Sequence, residues 1–313
     1  MSHRISAIVP TIGRAESLST LLAALASQTR RPDEVVVADG SANQDVRAVT
    51  DDPRWPAAGL AVRYVHVLPP HAVRQRQAAI AVASGSLLLL LDDDVVPEPG
   101  CVAALEAGIE AGAVGATADF SNQGWPPPTT LWRWYLRVAH GVRGTDWQGR
   151  VIGPLLRYGY HPVPASPAPM EWLGSGNSLI RRDAYDRAGG FSNFFLHRST
   201  VNEDVDLGIK LRRQGLLLLC PAARMAHTHA PGGRAGVRVV AEDDVYNRHA
   251  ILHHTLGRGR VRAAVLVTLY VAIETMSAVA ATVRGGATDG FGDRLAGRVR
   301  ALVRIGSAPA SKA

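Results

Sequence analysis

The sequence predicts an α/β fold, a mainly parallel central sheet wound by helices and followed by a C-terminal helical tail. Three observations carry this. The runs Ile5–Val9, Val35–Ala38 and Leu87–Leu91 are short and almost wholly apolar, as strands covered on both faces of a parallel sheet must be. Leu18, Leu21, Leu22 and Leu25 recur at i, i+3, i+4 and i+7, the spacing of a helix with one apolar face. Strand and helix patterns then alternate, the order from which parallel crossovers are built.

Taken in order, Ile5–Val9 is the first strand, stopped by Pro10-Thr11, and the leucine-faced helix follows. Val35–Ala38 is the second strand and ends on Asp39-Gly40-Ser41; Val62–Val67 is the third. A helix from about Ala72 to Ala83 leads into the leucine strand, which ends on Asp92-Asp93-Asp94. Cys101–Ala111 reads as a helix and Val114–Ala118 as a strand. The stretch from Phe120 to Met170 is irregular and proline-rich. Its aromatic and basic segment Leu131–Arg137 suits either a helix packed across the sheet or a wall facing a substrate. Ser178–Ile180 forms a strand, Arg181–Asp183 opens a short helix that stops at Gly189-Gly190, and Glu203–Gln214 forms another. Leu216–Leu219 is a last strand, ended by Pro221.

Composition narrows the function classes. The chain has 313 residues, 47% of them hydrophobic and 6% aromatic, enough for one large α/β core and an appendage. The net charge is +7, but from Arg234 onward 12 Lys and Arg face 6 Asp and Glu, so +6 of it lies in the last 80 residues. That is a basic tail on a near-neutral domain rather than a nucleic-acid surface. Cys101 and Cys220 stand in apolar contexts, which excludes a disulfide framework and fits a reducing compartment. The apolar run at the N-terminus is too short for a secretory signal. No GxGxxG follows the first strand and no P-loop motif occurs, so phosphate charge, if bound, must be met by a metal.

Two blocks carry chemistry. Asp92-Asp93-Asp94 closes a central strand at the end where open α/β sheets hold ligands. Adjacent carboxylates there suit a hard cation and its phosphate ligands; elsewhere such a triplet is a solvated turn. In the second block, Trp172-Leu173-Gly174-Ser175-Gly176-Asn177 is a glycine-spaced loop that lets backbone approach a ligand. Glu203-Asp204-Val205-Asp206 then opens a helix, where the macrodipole favours negative charge. Capping accounts for one of these carboxylates, and another can act as general base toward a hydroxyl. Beyond them, His227-Thr228-His229 offers a third protein ligand for the cation.

From Ile5 to Pro231 the chain resembles the family 2 glycosyltransferases. The likeness lies in Pro10-Thr11, Asp39-Gly40-Ser41, the LLDDD stretch, Gly174–Asn177, Gly189-Gly190-Phe191, Glu203-Asp204-x-Asp206-Leu207 and His227. It implies a GT-A fold and an inverting enzyme that uses a nucleotide diphosphate-sugar with Mn2+ or Mg2+. It assigns Pro10, Thr11, Asp39, Arg76, Asp92 and Asp93 to the donor, Asp39 to its base and Asp92 to its nucleoside. Asp94 and His227 would hold the metal. Asp204, with Glu203 beside it, would deprotonate the acceptor, and Trp172, Gly174, Ser175, Gly176 and Asn177 would face that acceptor. Ile12-Gly13 and Arg76-Gln77 replace the family's usual Tyr-Asn and Arg-Asn, and no QxxRW motif occurs, which favours transfer of a single sugar. The expected acceptor is a glycan of cell-surface polysaccharide synthesis, polyprenyl-linked acceptors included. A small soluble aglycone, or glycan or nucleotide binding without catalysis, are the other readings.

The tail is expected to be separate. Tyr246–His249 starts a helical stretch that Gly257–Arg260 breaks. Ala263–Val283 is 21 residues with one charge, Glu274, and a stripe of Thr268, Thr275 and Thr282. A helix packed on the domain or lying at the membrane interface fits it better than a span. After Phe291, Leu295, Val299, Leu302 and Val303 share one face while Arg294, Arg298, Arg300 and Arg304 take the other, a membrane contact or a solvated cap. The expected organisation is a catalytic domain over 1–232, a helical region over 233–305 and a disordered tail over 306–313. The expected place is the cytoplasm, peripheral to the inner face of the cell membrane, with no nucleic-acid partner.

Overall fold

The structure, a computed structural model, describes residues 3–230, 235–283 and 290–307. They fall into two compact units. The first contains residues 1–125, 159–196 and 203–234; the second contains 126–158, 197–202 and 235–313. The second unit is therefore not built from the C-terminal helices alone, as a boundary at 232 implies.

The first unit opens with β1 (Ile5–Thr11), α1 (Ala15–Ala26), β2 (Glu34–Asp39), α2 (Asp45–Thr50), α3 (Arg54–Ala57) and β3 (Val62–His66). It continues with α4 (Ala72–Val82), β4 (Leu87–Leu91), β5 (Val95–Pro97), α5 (Cys101–Glu110) and β6 (Gly115–Phe120). The second unit then supplies α6 (Thr130–His140) and the short pair β7 (Val151–Ile152) and β8 (Leu156–Arg157). Back in the first unit follow β9 (Ala168–Met170), β10 (Asn177–Arg181), α7 (Arg182–Arg187), α8 (Glu203–Arg212) and β11 (Leu217–His227). The second unit ends with α9 (Val237–Ala250), α10 (Arg260–Val283) and α11 (Phe291–Ser307).

The sheet runs β3-β2-β1-β4-β10-β6-β11-β5, with β9 on β11. The first four strands are parallel, and β6 is parallel to β11. All five leucines of β4 are at most 1% exposed, and the four leucines of α1 are fully buried against the same core. Each such side chain contributes roughly 1.5–3 kcal/mol of burial, enough to fix the strand's place in the centre. Cys101 and Cys220 are free and buried, and burial pushes their thiols up to about 12 and about 11.

One strand reverses the order. β10 lies antiparallel between β4 and β6, pairing Asn177 with Leu91 and Ser178 with both Leu90 and Thr117. Its N-terminal end therefore meets the carboxyl end of β4. Pro221 does not end the last strand as expected. The register shifts between Cys220 and Arg224, and past this irregularity the strand resumes to His227, beside Val95. A bulge accommodates a residue that has no N–H to donate.

In the second unit, α9 starts at Val237, nine residues before the expected start. A π-helical turn at Ile251–Thr255 and Gly257, at φ +62°, then break the chain direction. α10 is the one helix among the described residues long and apolar enough to cross a membrane. It buries Ala263, Val267, Tyr270, Val271 and Ile273. Glu274 accepts from Trp132 Nε1 (2.8 Å) and pairs with Arg298 (3.3 Å), so its charge is compensated within the unit. The threonine stripe is also satisfied internally, each hydroxyl donating to the carbonyl four residues back.

α11 differs from its expected faces. Its buried residues are Gly297, Ala301 and Ile305, while Val299 and Val303 are exposed. A Cβ on Gly297 would meet the Arg238 carbonyl of α9, so the two helices touch at their backbones. Arg300 and Arg304 pair with Glu242, and Arg298 with Glu274. Three of the four arginines expected to meet a membrane or solvent thus pair with carboxylates of the same unit. Gly306 and Ser307, expected to be disordered, belong to α11; residues 308–313 lie outside the described residues.

Candidate active site

The carboxyl ends of β1, β2 and β4 lie side by side, with Thr11 in register with Asp39. Pro10 and Thr11 are the last residues of β1 and both are buried. Asp93 points into the domain. It accepts from Thr11 Oγ1 (2.6 Å) and pairs with Arg14 (2.9 Å), and burial still pushes its carboxyl above the ordinary value. The middle aspartate thus anchors the turn to β1. Asp39 is fully buried; Ser41 N (2.8 Å) and Tyr64 OH (3.0 Å) donate to its two oxygens. Gln75 Nε2 donates to the carbonyls of Thr11 (2.7 Å) and Ala38 (2.8 Å), tying the two strand ends together.

Asp94 faces the end of β11. His227 Nε2 lies 3.0 Å from Asp94 Oδ1, and Ala230 N donates to Oδ2 (3.1 Å). Arg14 reaches Asp94 Oδ2 at 3.4 Å. Asn122 holds the backbone of His227 at both its N–H (3.0 Å) and its carbonyl (2.8 Å). Gln123 Nε2 lies 3.0 Å from His227 Nδ1 and 2.8 Å from His229 Nε2, and Phe120 stacks on the His227 ring. One ligand atom from each of Asp92, Asp94 and His227 falls within 4.8 Å of the others. Two carboxylate oxygens and an imidazole nitrogen converging in this way fit a divalent cation.

The third cluster joins the two informative blocks. Arg76 of α4 is 3% exposed and bridges Asp92 (2.6 Å) and Glu203 (3.1 Å). Ser175 Oγ donates to the same Glu203 oxygen at 2.8 Å. A Cβ on Gly176 would overlap the Asp92 carboxylate, so only glycine lets this loop lie on the strand end. Asn177 Nδ2 donates to the Ala118 carbonyl (2.7 Å), while its Oδ1 is buried without a hydrogen-bond partner. Gly174 lies against that Asn177 side chain. Trp172 is buried, edge-on to Trp125 at 4.8 Å, so its ring packs within the unit.

The carboxylates of α8 separate into distinct roles. Asp206 is buried and holds Lys210 (3.1 Å) and Ser192 (2.6 Å), fastening the Gly190 turn. Asp204 is half-buried in the first turn, accepting from Val205 N at 2.8 Å. Glu203 is buried. Burial first, then the charge of Asp204, pushes its carboxyl up to about 7, against Arg76 and Ser175, which pull it down.

This has a measurable sign. The folded value lies above the ordinary one, so between roughly pH 4.5 and 7 the folded protein holds the extra proton and loses stability as pH rises. Glu203→Gln should remove that loss, on the order of 3 kcal/mol by linkage. Thermal melts at pH 5 and pH 8 are expected to show a larger fall in Tm for the wild type than for the variant. Parallel falls would mean that Glu203 is already ionised at low pH.

Four residues that the motifs do not mark belong to this arrangement: Arg14, Gln75, Asn122 and Gln123. Arg14 was within reach of sequence reasoning as a basic residue three positions after Thr11. The other three carry no local signal.

Residues 6–153 match the family model described as Glycosyl transferase family 2. That stretch, a little under half of the chain, is the part that carries β1 to β7. The chain is 28% identical over 270 residues to the O-antigen biosynthesis protein RfbC of Myxococcus xanthus, covering 81% of this chain and 19% of that protein. The chain thus spans about a fifth of that relative's length. It is 26% identical over 246 residues to the N-acetylglucosaminyl-diphospho-decaprenol L-rhamnosyltransferase of Mycobacterium tuberculosis, covering 74% of this chain and 78% of that protein. Among solved structures, the mannosyltransferase PcManGT of Pyrobaculum calidifontis, in complex with GDP-Man and Mn2+, has a TM-score of 0.58 at 16% identity over 98% of this chain and 88% of that one. S. aureus TarS 1–349 in complex with UDP-GlcNAc has a TM-score of 0.56 at 14% identity, over 96% and 81%. At these identities the likeness shows the fold, GT-A. The GT-A fold expected from the sequence therefore holds, and the family match over residues 6–153 agrees with the transferase class expected from the same motifs.

Proposed function

We propose that this enzyme is an inverting, metal-dependent glycosyltransferase. It moves one sugar from a nucleotide diphosphate-sugar to a glycan acceptor on a polyprenyl carrier, at the cytoplasmic face of the membrane. The observation that carries the reading is the convergence of Asp92, Asp94 and His227 within 4.8 Å, with Arg76 coupling Asp92 to Glu203. The names of the decaprenol-directed and O-antigen relatives support the acceptor class.

Asp94 and His227, with Asp92 beside them, would hold Mn2+ or Mg2+. Such an ion, when bound, supplies a Lewis acid for the departing diphosphate. The protein's own groups do the rest. Pro10 and Thr11 shape the floor beneath the donor, and Asp39 takes the base by exchanging a partner now provided by Ser41 or Tyr64. Arg76 keeps Asp92 aimed at the nucleoside. Asp204 takes the proton of the acceptor hydroxyl as its oxygen attacks the anomeric carbon from the side opposite the diphosphate. One displacement of this kind inverts the configuration. Ser175, Gly176 and Asn177 line the approach, and Gly174 and Trp172 support them from behind.

A panel of sugar nucleotides, nucleotide-linked L-rhamnose included, tests this with a decaprenyl diphospho-N-acetylglucosamine analogue as acceptor. Turnover is expected with Mn2+ and lost in EDTA, and proton NMR of the product should show the inverted anomer. Equal turnover in EDTA would remove the metal from the reading, and a retained anomer would remove the single displacement. No turnover with any donor would remove the whole reading.

A further inference from the structure

Outside the active site, the second unit holds a cavity of about 450 Å³ between α6 and the loop that follows it. Its apolar floor is Leu136, Val142 and Trp147, all buried. Its rim is Arg133, Arg137 and Arg143, all exposed. Among the described residues none of these three arginines meets a carboxylate. Arg133 uses only its Nε, donating to the Pro128 carbonyl at 3.0 Å. The segment 126–158 carries five arginines against one aspartate, a net +4, and Asp146 does not line the cavity. Guanidinium groups gathered without counter-charge over an aromatic floor suit an anion with several oxygens, and phosphate oxygens match their forked donors.

The neighbouring face of α6 says what kind of phosphate. Trp134 and Val138, one turn apart, are 62% and 66% exposed. On a helix they form a stripe about 100° round from Arg133 and Arg137. A soluble phosphate would leave that stripe in water. A phosphate in a lipid surface would cover it, since Trp favours the headgroup level and arginine stems extend along apolar surface to reach it. Of the tail arginines, Arg298, Arg300 and Arg304 each pair with a carboxylate, Glu274 or Glu242, which the three arginines of the cavity do not.

We propose that the α6 cavity binds the phosphate of a membrane lipid, with Trp134 and Val138 seated in the interface. This rests on the membrane-proximal reading above and moves the contact from the tail to α6. The test uses the full chain and phosphatidylcholine vesicles with or without phosphatidylglycerol. The wild type should cosediment only when phosphatidylglycerol is present and be released by salt. The double variant Arg137→Glu, Arg143→Glu should bind roughly tenfold less or weaker, and its neutral counterpart Arg137→Gln, Arg143→Gln should fall between. Trp134→Ser should lower binding with the charge intact. All variants should keep the wild-type melt and the wild-type hydrolysis of donor without acceptor.

Unchanged cosedimentation of the charge-reversed protein would overturn the proposal. So would stabilisation of the wild type by inorganic diphosphate in a protein that ignores vesicles, which would make the cavity a soluble-phosphate site. Absence of donor turnover in a wild type that binds vesicles in the expected way would instead count against the catalytic reading and leave this site standing.

Discussion

Asp204→Asn is expected to bind donor normally and to lose turnover by roughly a hundredfold or more. The expectation rests on how α8 distributes its first-turn carboxylates. Asp206 is buried and committed to Lys210 and Ser192. Glu203 is buried, held by Arg76 and Ser175, with its carboxyl pushed up to about 7. Asp204 alone of the three is half-buried at the N-terminal end of the helix, where the macrodipole favours its charge. An amide of the same shape keeps the packing and cannot accept the proton. Steady-state rates with donor affinity measured separately would distinguish the roles. Near-normal turnover in Asp204→Asn, with a large loss in Glu203→Gln, would transfer the base to Glu203.

Asp94→Ala should abolish Mn2+-dependent donor binding, and His227→Ala should weaken it by about tenfold or more. Asp94 is 4% exposed and gathers His227, the Ala230 N–H and Arg14 around one carboxylate. Its loss would remove a candidate ligand and one of the contacts that hold Arg14, so the turn itself should loosen. Calorimetric titration with a non-hydrolysed donor, with and without Mn2+, reads this directly. Metal dependence that survives in Asp94→Ala would mean the carboxylate only fastens the end of β11. A larger effect of His229→Ala than of His227→Ala would make His229 the ligand.

Much of the sheet is legible in the sequence because its signals are local. The four leucines of α1 and the five of β4 state their burial by spacing alone, and Asp92–Asp94 follow the buried strand directly. What is not legible comes from distance along the chain. Gln123 reaches His227 across 104 residues, and Gln75 reaches Thr11 across 64. No pattern within one element announces either. α11 shows a subtler failure. The apolar periodicity favours a face of valines and leucines, but Gly297 lets α9 approach so closely that small residues make the buried face. Glu242 and Glu274 then capture three of its arginines, a pairing that needs both other helices in place. Pro221 misleads in the opposite way, since a strand can pass a proline if the ladder shifts register there.

The antiparallel course of β10 has a bearing on how such an enzyme can change. The chain leaves β6 at Phe120 and returns at Asn177, and both points are secured in the sheet. Ser121 N donates to Met225 O, and Asn177 lies beside Leu91. Not all of the excursion between them is free of the site: Asn122 and Gln123 hold His227, β9 pairs with β11, and Gly176 lies on Asp92. A change of length is therefore expected to be tolerated best within 126–158, whereas one at 121–123 or 168–177 should shift the side chains that hold His227 and Asp92.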